Sequence, residues 1–249
     1  MVRFLSPYRT TVISLQLSTD TLRSLSCWFC QYGYTNRCAR SLALGTQQLD
    51  GGQAEYVRVP YADGTLKRIP EGVDEELMIM MSDIFPTGYY GAMRAVSSFQ
   101  QPPKTGIRPF GLASQQERVP VGSAFPQQPI SDAVYVCLGC GPVGLCAILT
   151  AHAKGVRTIF AVDSVDDRLA EAAKLGAIPL KLGTDDIPAM VLKATDGRGA
   201  DAVIEVVGNK AALRSAFDLL RPCGTLSSLG FNQDELPFTA LECYSKNLK

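Results

Sequence analysis

From Val134 the hydrophobic and polar positions fall into alternating blocks of two lengths. Val134–Leu138 is a short apolar run, Val143–Lys154 an apolar stretch of helix length, and Thr158–Val162 a second short run rich in β-preferring residues. Asp166–Leu175 has apolar positions at helical spacing, an acidic pair at its start, Lys174 near its end and Gly176 as a stop, which predicts an amphipathic helix. Ile178–Leu182, Ala202–Val207 and Thr225–Leu229 predict three more strands, separated by helical stretches around Met190 and over Ala211–Leu220. Repetition of strand and helix in this order predicts an α/β fold with a doubly wound, parallel Rossmann-type sheet over residues 132–249.

The chain before this block has a different texture. Residues 27–99 mix a cysteine cluster, Gly51-Gly52 and the short apolar run Tyr56–Val59 closed by Pro60, the pattern of a partial, loop-rich β domain. Residues 100–131 are crowded with Pro, Gln, Gly and Ser and read as a linker or insertion, where the domain boundary is expected. Residues 1–26 carry Arg3, Arg9 and Arg23 against one acid, Asp20, and read as an atypical leader, either irregular or faintly like a mitochondrial transit peptide.

Composition narrows the function. The 24 basic and 24 acidic residues balance, and no basic block supplies the footprint that nucleic acid or an anionic membrane requires. The uncharged run Ala133–Ala151 is long enough to span a bilayer, but Gly139, Gly141, Pro142 and Gly144 break it in the middle and instead predict a strand, a tight turn and a helix start. Eight cysteines without a secretory signal point to a reducing compartment, with cytosol as the expectation and the mitochondrial matrix as the alternative.

The chemistry begins at Gly139-Cys140-Gly141-Pro142-Val143-Gly144, which follows a predicted strand and opens a predicted helix. In that context Gly139 allows the turn, Gly141 lets backbone approach a pyrophosphate, and Gly144 lets the helix pack close to the strand. Asp163 closes the second strand about 20 residues further on, where a carboxylate accepts from both hydroxyls of an adenosine ribose and repels a 2′-phosphate, so NAD is expected over NADP. Two other readings stay open on these residues: Asp163 as a plain helix cap, and a methyltransferase, whose methyl donor also carries an adenosine. Cys140 stands at a helix start, where a thiol is activated or simply tolerated as a small side chain, and His152, the only histidine, falls inside the first helix.

Several collinear motifs carry a family resemblance. Cys27-Trp-Phe-Cys30 with Cys38, Gly51-Gly52-Gln53-Ala54-Glu55-Tyr56-Val57-Arg58-Val59-Pro60, Ser82-Asp83-Ile84-Phe85-Pro86-Thr87-Gly88 and the glycine loop together resemble the zinc-type medium-chain alcohol dehydrogenases, most closely the branch of glutathione-independent formaldehyde dehydrogenase and its fungal relatives. The resemblance runs from Cys27 to Lys249 apart from Gln100–Gln128. It implies a GroES-like catalytic domain before the Rossmann domain, NAD and zinc as cofactors, and a small alcohol or hydrated aldehyde as substrate. It also implies that the chain is incomplete at both ends, and that a homo-oligomer forms through the sheet edge.

Residue by residue, the resemblance assigns Gly139, Gly141, Pro142, Val143, Gly144, Asp163 and Arg168 to the cofactor, and places Val207, Leu229 and Phe231 at its nicotinamide end, where core strand ends are the alternative. Cys27, Cys30 and Cys38 match three of the family's four structural-zinc cysteines, with Ser24 in the remaining position; three buried free thiols are the alternative. Asp83 matches one catalytic-zinc ligand, while the expected ligand Cys and the His of Gly-His-Glu have no counterpart, and Thr87 matches a position beside the nicotinamide. The implied function is NAD-linked alcohol or aldehyde oxidation, and the alternative a non-catalytic nucleotide-binding or interaction protein derived from that family.

Overall fold

The computed structural model describes residues 13–15, 21–100 and 128–248. The chain divides into two compact units, Met1–Thr87 and Gly88–Lys249. The expected linker lies almost wholly outside the described residues.

In the first unit, β1 (Ile13–Leu15) pairs antiparallel with β4 (Leu66–Arg68), and β2 (Thr21–Leu22) with β3 (Leu42–Ala43). Strands β1 and β2 both fall within the stretch read from the sequence as a leader. Leu22 and Leu49 are buried together, with Leu42, Leu44 and Val59 packed against them. Short helices α1 (Trp28–Gln31), α2 (Ala62–Thr65) and α3 (Glu75–Met78) connect these pieces. The run Tyr56–Val59 departs from its β-like pattern: it has no strand partner among the described residues, and Tyr56 is exposed.

Helix α4 (Ile84–Gln100) corrects the expectation that residues up to 99 are loop-rich β structure. Pro86 sits in its first turn, where a missing N–H costs nothing. From Gly88 its inward face is built of small residues. A Cβ at Gly88 would fall 2.5 Å from the Val143 carbonyl oxygen, and one at Gly91 would overlap Leu229, so helix and Rossmann core approach more closely than any larger side chain would permit. Ala92, Ala95 and Val96 complete this face and are buried in the same core cluster as Tyr135 and Ile148.

The second unit is a five-stranded parallel sheet of order β7-β6-β5-β8-β9, formed by β5 (Val134–Leu138), β6 (Thr158–Asp163), β7 (Ile178–Lys181), β8 (Ala200–Glu205) and β9 (Leu220–Ser228). Alternation along each strand feeds two cores. Tyr135 and Cys137 face the layer of α4, α5 (Pro142–Ala153) and α6 (Asp166–Lys174), whereas Val134, Val136 and Leu138 face α7 (Ile187–Ala194) and α8 (Lys210–Leu219). A buried acid ties the lower edge. Asp201 accepts from the Val134 amide at 2.8 Å and from Arg221 Nε at 2.7 Å. Helix α9 (Ala240–Lys246) begins with a Thr239–Glu242 capping box and is latched to α8 through Arg214–Glu242 at 2.6 Å. Among the described residues no helix is long and apolar enough to cross a membrane.

Candidate functional site

Strand order reverses direction at β5, with β6 and β7 on one side and β8 and β9 on the other, so the crevice above the carboxyl ends of these strands is the place where such sheets take a ligand. The glycine loop lies there. Gly139 has φ +94°, a left-handed turn that favours glycine, and its amide donates to the Val162 carbonyl at 2.9 Å. Gly144 faces it across the turn. A Cβ there would overlap the Gly139 carbonyl oxygen, so Gly144 is dictated by the fold itself.

Gly141 is different. Its φ of −70° is open to any residue, and a Cβ there would meet nothing within 4 Å. The fold gives no reason for glycine at this position; a ligand approaching the backbone does. Gly141 is also the N-cap of α5, and lacking a side chain it leaves the first-turn amides of Val143 and Gly144 without a side-chain cap among the described residues, beside Pro142, which has no N–H to offer. Such a helix start favours an anion.

Asp163 ends β6 with its side chain nearly buried. One carboxylate oxygen accepts from the Cys140 amide at 2.8 Å and the other from the Val165 amide at 2.9 Å. It therefore braces the glycine loop in addition to the turn before α6. Val165, not Asp163, is the N-cap of that helix, so plain capping does not describe its role. Arg168 lies 3.7 Å from Asp163 and is half exposed. Cys140 itself is fully buried, and desolvation, reinforced by the charge of Asp163, pushes its thiol up to about 12. The activated-thiol reading of the loop is thereby removed. His152 stands against Gly176, and its buried Nε2 makes no hydrogen bond among the described residues.

On the other side of the switch point, Val207 follows β8, while Leu229 and Phe231 follow β9. Val207 and Phe231 are exposed, and Val207 Cγ2 reaches Gly139. The structure thus joins Asp163, the glycine loop, Val207 and Phe231 into one rim. Sequence reasoning missed the residue beneath it, Glu205, which is fully buried and accepts from the Val207 and Gly208 amides at 2.8 and 2.7 Å. The signal was an acid inside the otherwise apolar run Ala202–Val207.

Asp83 and Thr87 belong to the first unit. Thr87 Oγ1 donates to Asp83 Oδ1 at 2.8 Å across the first turn of α4. The thiols of Cys27, Cys30 and Cys38 lie within 4.8 Å of one another and are the one potential metal-binding group of three among the described residues. Backbone amides of Cys30 and Ala39 lower the Cys27 thiol to about 6. Burial raises Cys38, but donors from Ser24 and Arg40 outweigh it and leave its thiol below the ordinary value; Cys30, chiefly through desolvation, is raised. Ser24 Oγ stands 3.5 Å from Cys38 Sγ, so the missing fourth position is occupied by a hydroxyl at the edge of the cluster. This donor set fits zinc with three thiolates. No comparable set surrounds Asp83 among the described residues, so the catalytic-zinc assignment does not fit.

A parallel sheet of this order, with a bare glycine loop and a carboxylate flanking its switch point, defines the second unit as a Rossmann-type domain. Residues 142–249 match the family model described as zinc-binding dehydrogenase. The chain is 43% identical over 235 residues to the zinc-type alcohol dehydrogenase B of Aspergillus flavus, covering 94% of this chain and 49% of that protein. It is equally 43% identical over 230 residues to the medium chain reductase/dehydrogenase ucsI of an Acremonium species, covering 92% of this chain and 70% of that one. Among solved structures, alcohol dehydrogenase TADH from Thermus sp. ATN1 matches at 27% identity with a TM-score of 0.74, over 93% of this chain and 59% of that one. The chain belongs to the zinc-type medium-chain alcohol dehydrogenase family. It spans about half the length of the Aspergillus relative.

Proposed function

We propose that the chain binds NAD(H) along this rim and serves the oxidation of a small alcohol or hydrated aldehyde. The single observation that carries the cofactor assignment is the Asp163 carboxylate. Each of its oxygens accepts one backbone amide and retains a further acceptor site for a ribose hydroxyl, whereas a 2′-phosphate would meet it as a like charge. The pyrophosphate would lie on the open amides of Val143 and Gly144 over bare Gly141, with Arg168 on the adenosine side and Val207, Leu229 and Phe231 at the nicotinamide. Held there, NAD⁺ would supply the hydride acceptor for oxidation of the carbinol carbon. Cys27, Cys30 and Cys38 would hold zinc as a crosslink of the first unit.

A second reading, nucleotide binding without turnover, is favoured by Asp83, whose Oδ1 is engaged by Thr87 and which belongs to no group of three potential metal ligands among the described residues. Incubating the chain with NAD⁺, zinc and either ethanol or formaldehyde separates the two. Accumulating NADH supports the oxidoreductase; no NADH from a chain that binds NADH supports the second reading.

A further inference from the structure

Glu205 is a buried carboxylate with two roles to play at once. Its Oε1 accepts from the Val207 and Gly208 amides, and its Oε2 accepts from the Ser228 hydroxyl at 3.0 Å. Its backbone carbonyl accepts from the amides of Leu229 and Gly230 at 2.8 and 3.2 Å. One residue therefore fixes both turns that follow β8 and β9.

Those turns touch backbone to backbone. A Cβ on Gly208 would sit 2.6 Å from the Phe231 nitrogen, and one on Gly230 would overlap the Gly208 amide and approach Glu205 Oε1 to 2.9 Å. Gly208 also has φ +79°, so its conformation needs holding. A buried charge is retained at a cost unless donors surround it, and here the donors are the turn itself.

We infer that Glu205 is the positioning residue for the nicotinamide half of the cofactor site, setting the height of Val207 and the Leu229–Phe231 turn without contacting the ribose or pyrophosphate side. The inference rests on the NAD(H) reading above. Asp163 and the glycine loop, which serve the adenosine and pyrophosphate, are fixed by separate hydrogen bonds.

The test compares NADH with ADP-ribose, which lacks the nicotinamide, by calorimetry on the full chain. Glu205→Ala removes the acceptor of two buried amides and should weaken NADH by at least about tenfold while ADP-ribose changes by less than about twofold. Glu205→Gln keeps a carbonyl acceptor for both amides and lets the Ser228 hydroxyl turn to accept, so it should restore NADH to within about threefold of wild type. Parallel loss of both ligands, no loss of either, or a Gln variant no better than Ala would overturn the inference. If Glu205→Ala does not fold, Ser228→Ala removes one donor alone and should weaken NADH by about threefold with ADP-ribose unchanged; equal effects on both would overturn it. Wild-type chain that fails to bind ADP-ribose refutes the cofactor reading itself, and this inference with it.

Discussion

Two glycines of one loop should respond oppositely to the same methyl group. In Gly141→Ala the new Cβ meets nothing within 4 Å and φ is already −70°. Alanine is a poorer N-cap than glycine by roughly 0.5–1 kcal/mol, and the lost flexibility of the unfolded chain returns about 0.4–1 kcal/mol, so stability should stay within about 1 kcal/mol of wild type. The methyl would nevertheless stand between the backbone and an approaching phosphate. Losing one charge-assisted bond of about 1.5–3 kcal/mol weakens NADH by roughly ten- to a hundredfold. In Gly144→Ala the Cβ overlaps the Gly139 carbonyl, and relief of that overlap should cost about 1–3 kcal/mol of stability whatever the ligand. Thermal unfolding and NADH fluorescence titration of both variants read the two effects. Gly141→Ala binding NADH within about twofold of wild type, or melting as low as Gly144→Ala, would refute the reasoning.

Removing Asp201 strands Arg221 and the Val134 amide at the far edge of the sheet, so Asp201→Ala should cost about 3 kcal/mol in urea unfolding and leave the affinity of any folded protein for NADH unchanged; a loss under about 1 kcal/mol contradicts this. Cys140 is raised from 9.0 to about 12, so its contribution is fully present below the unfolded value and is lost as pH rises between those two values; the urea midpoint of wild type should fall more steeply over that range than that of Cys140→Ala. Ser24→Cys supplies a fourth thiolate beside Cys38 and should tighten zinc, measured by chelator competition, by at least about tenfold, whereas unchanged affinity would show that Ser24 does not face the metal.

The Rossmann unit was legible because its first two strands, β5 and β6, are short and mostly apolar runs bounded by turn residues, and its helices carry their own start and stop signals, such as Asp166-Asp167 and Gly176. The glycine loop was legible for the same reason, since strand before and helix after give the pattern its meaning. Helix α4 was not, because Pro86, Gly88 and Gly91 are weak helix formers, whereas the value of the two glycines is the close approach they allow to Val143 and Leu229. Glu205 stood inside the apolar run Ala202–Val207 and Asp201 just before it, and their roles were hidden because their partners, Ser228 and Arg221, lie in the next strand and are set by sheet register, which local spacing does not encode. Cys140 was ambiguous until burial decided against reactivity.

The most direct test of the cofactor site is titration of wild-type chain and Asp163→Ser with NADH and NADPH, following nicotinamide fluorescence. Wild type should saturate with NADH and bind NADPH at least about tenfold more weakly, and Asp163→Ser should narrow that gap by losing the repulsion of the 2′-phosphate. Equal affinity of wild type for both cofactors, or no binding of either, would contradict the assignment of Asp163 and of the rim it anchors.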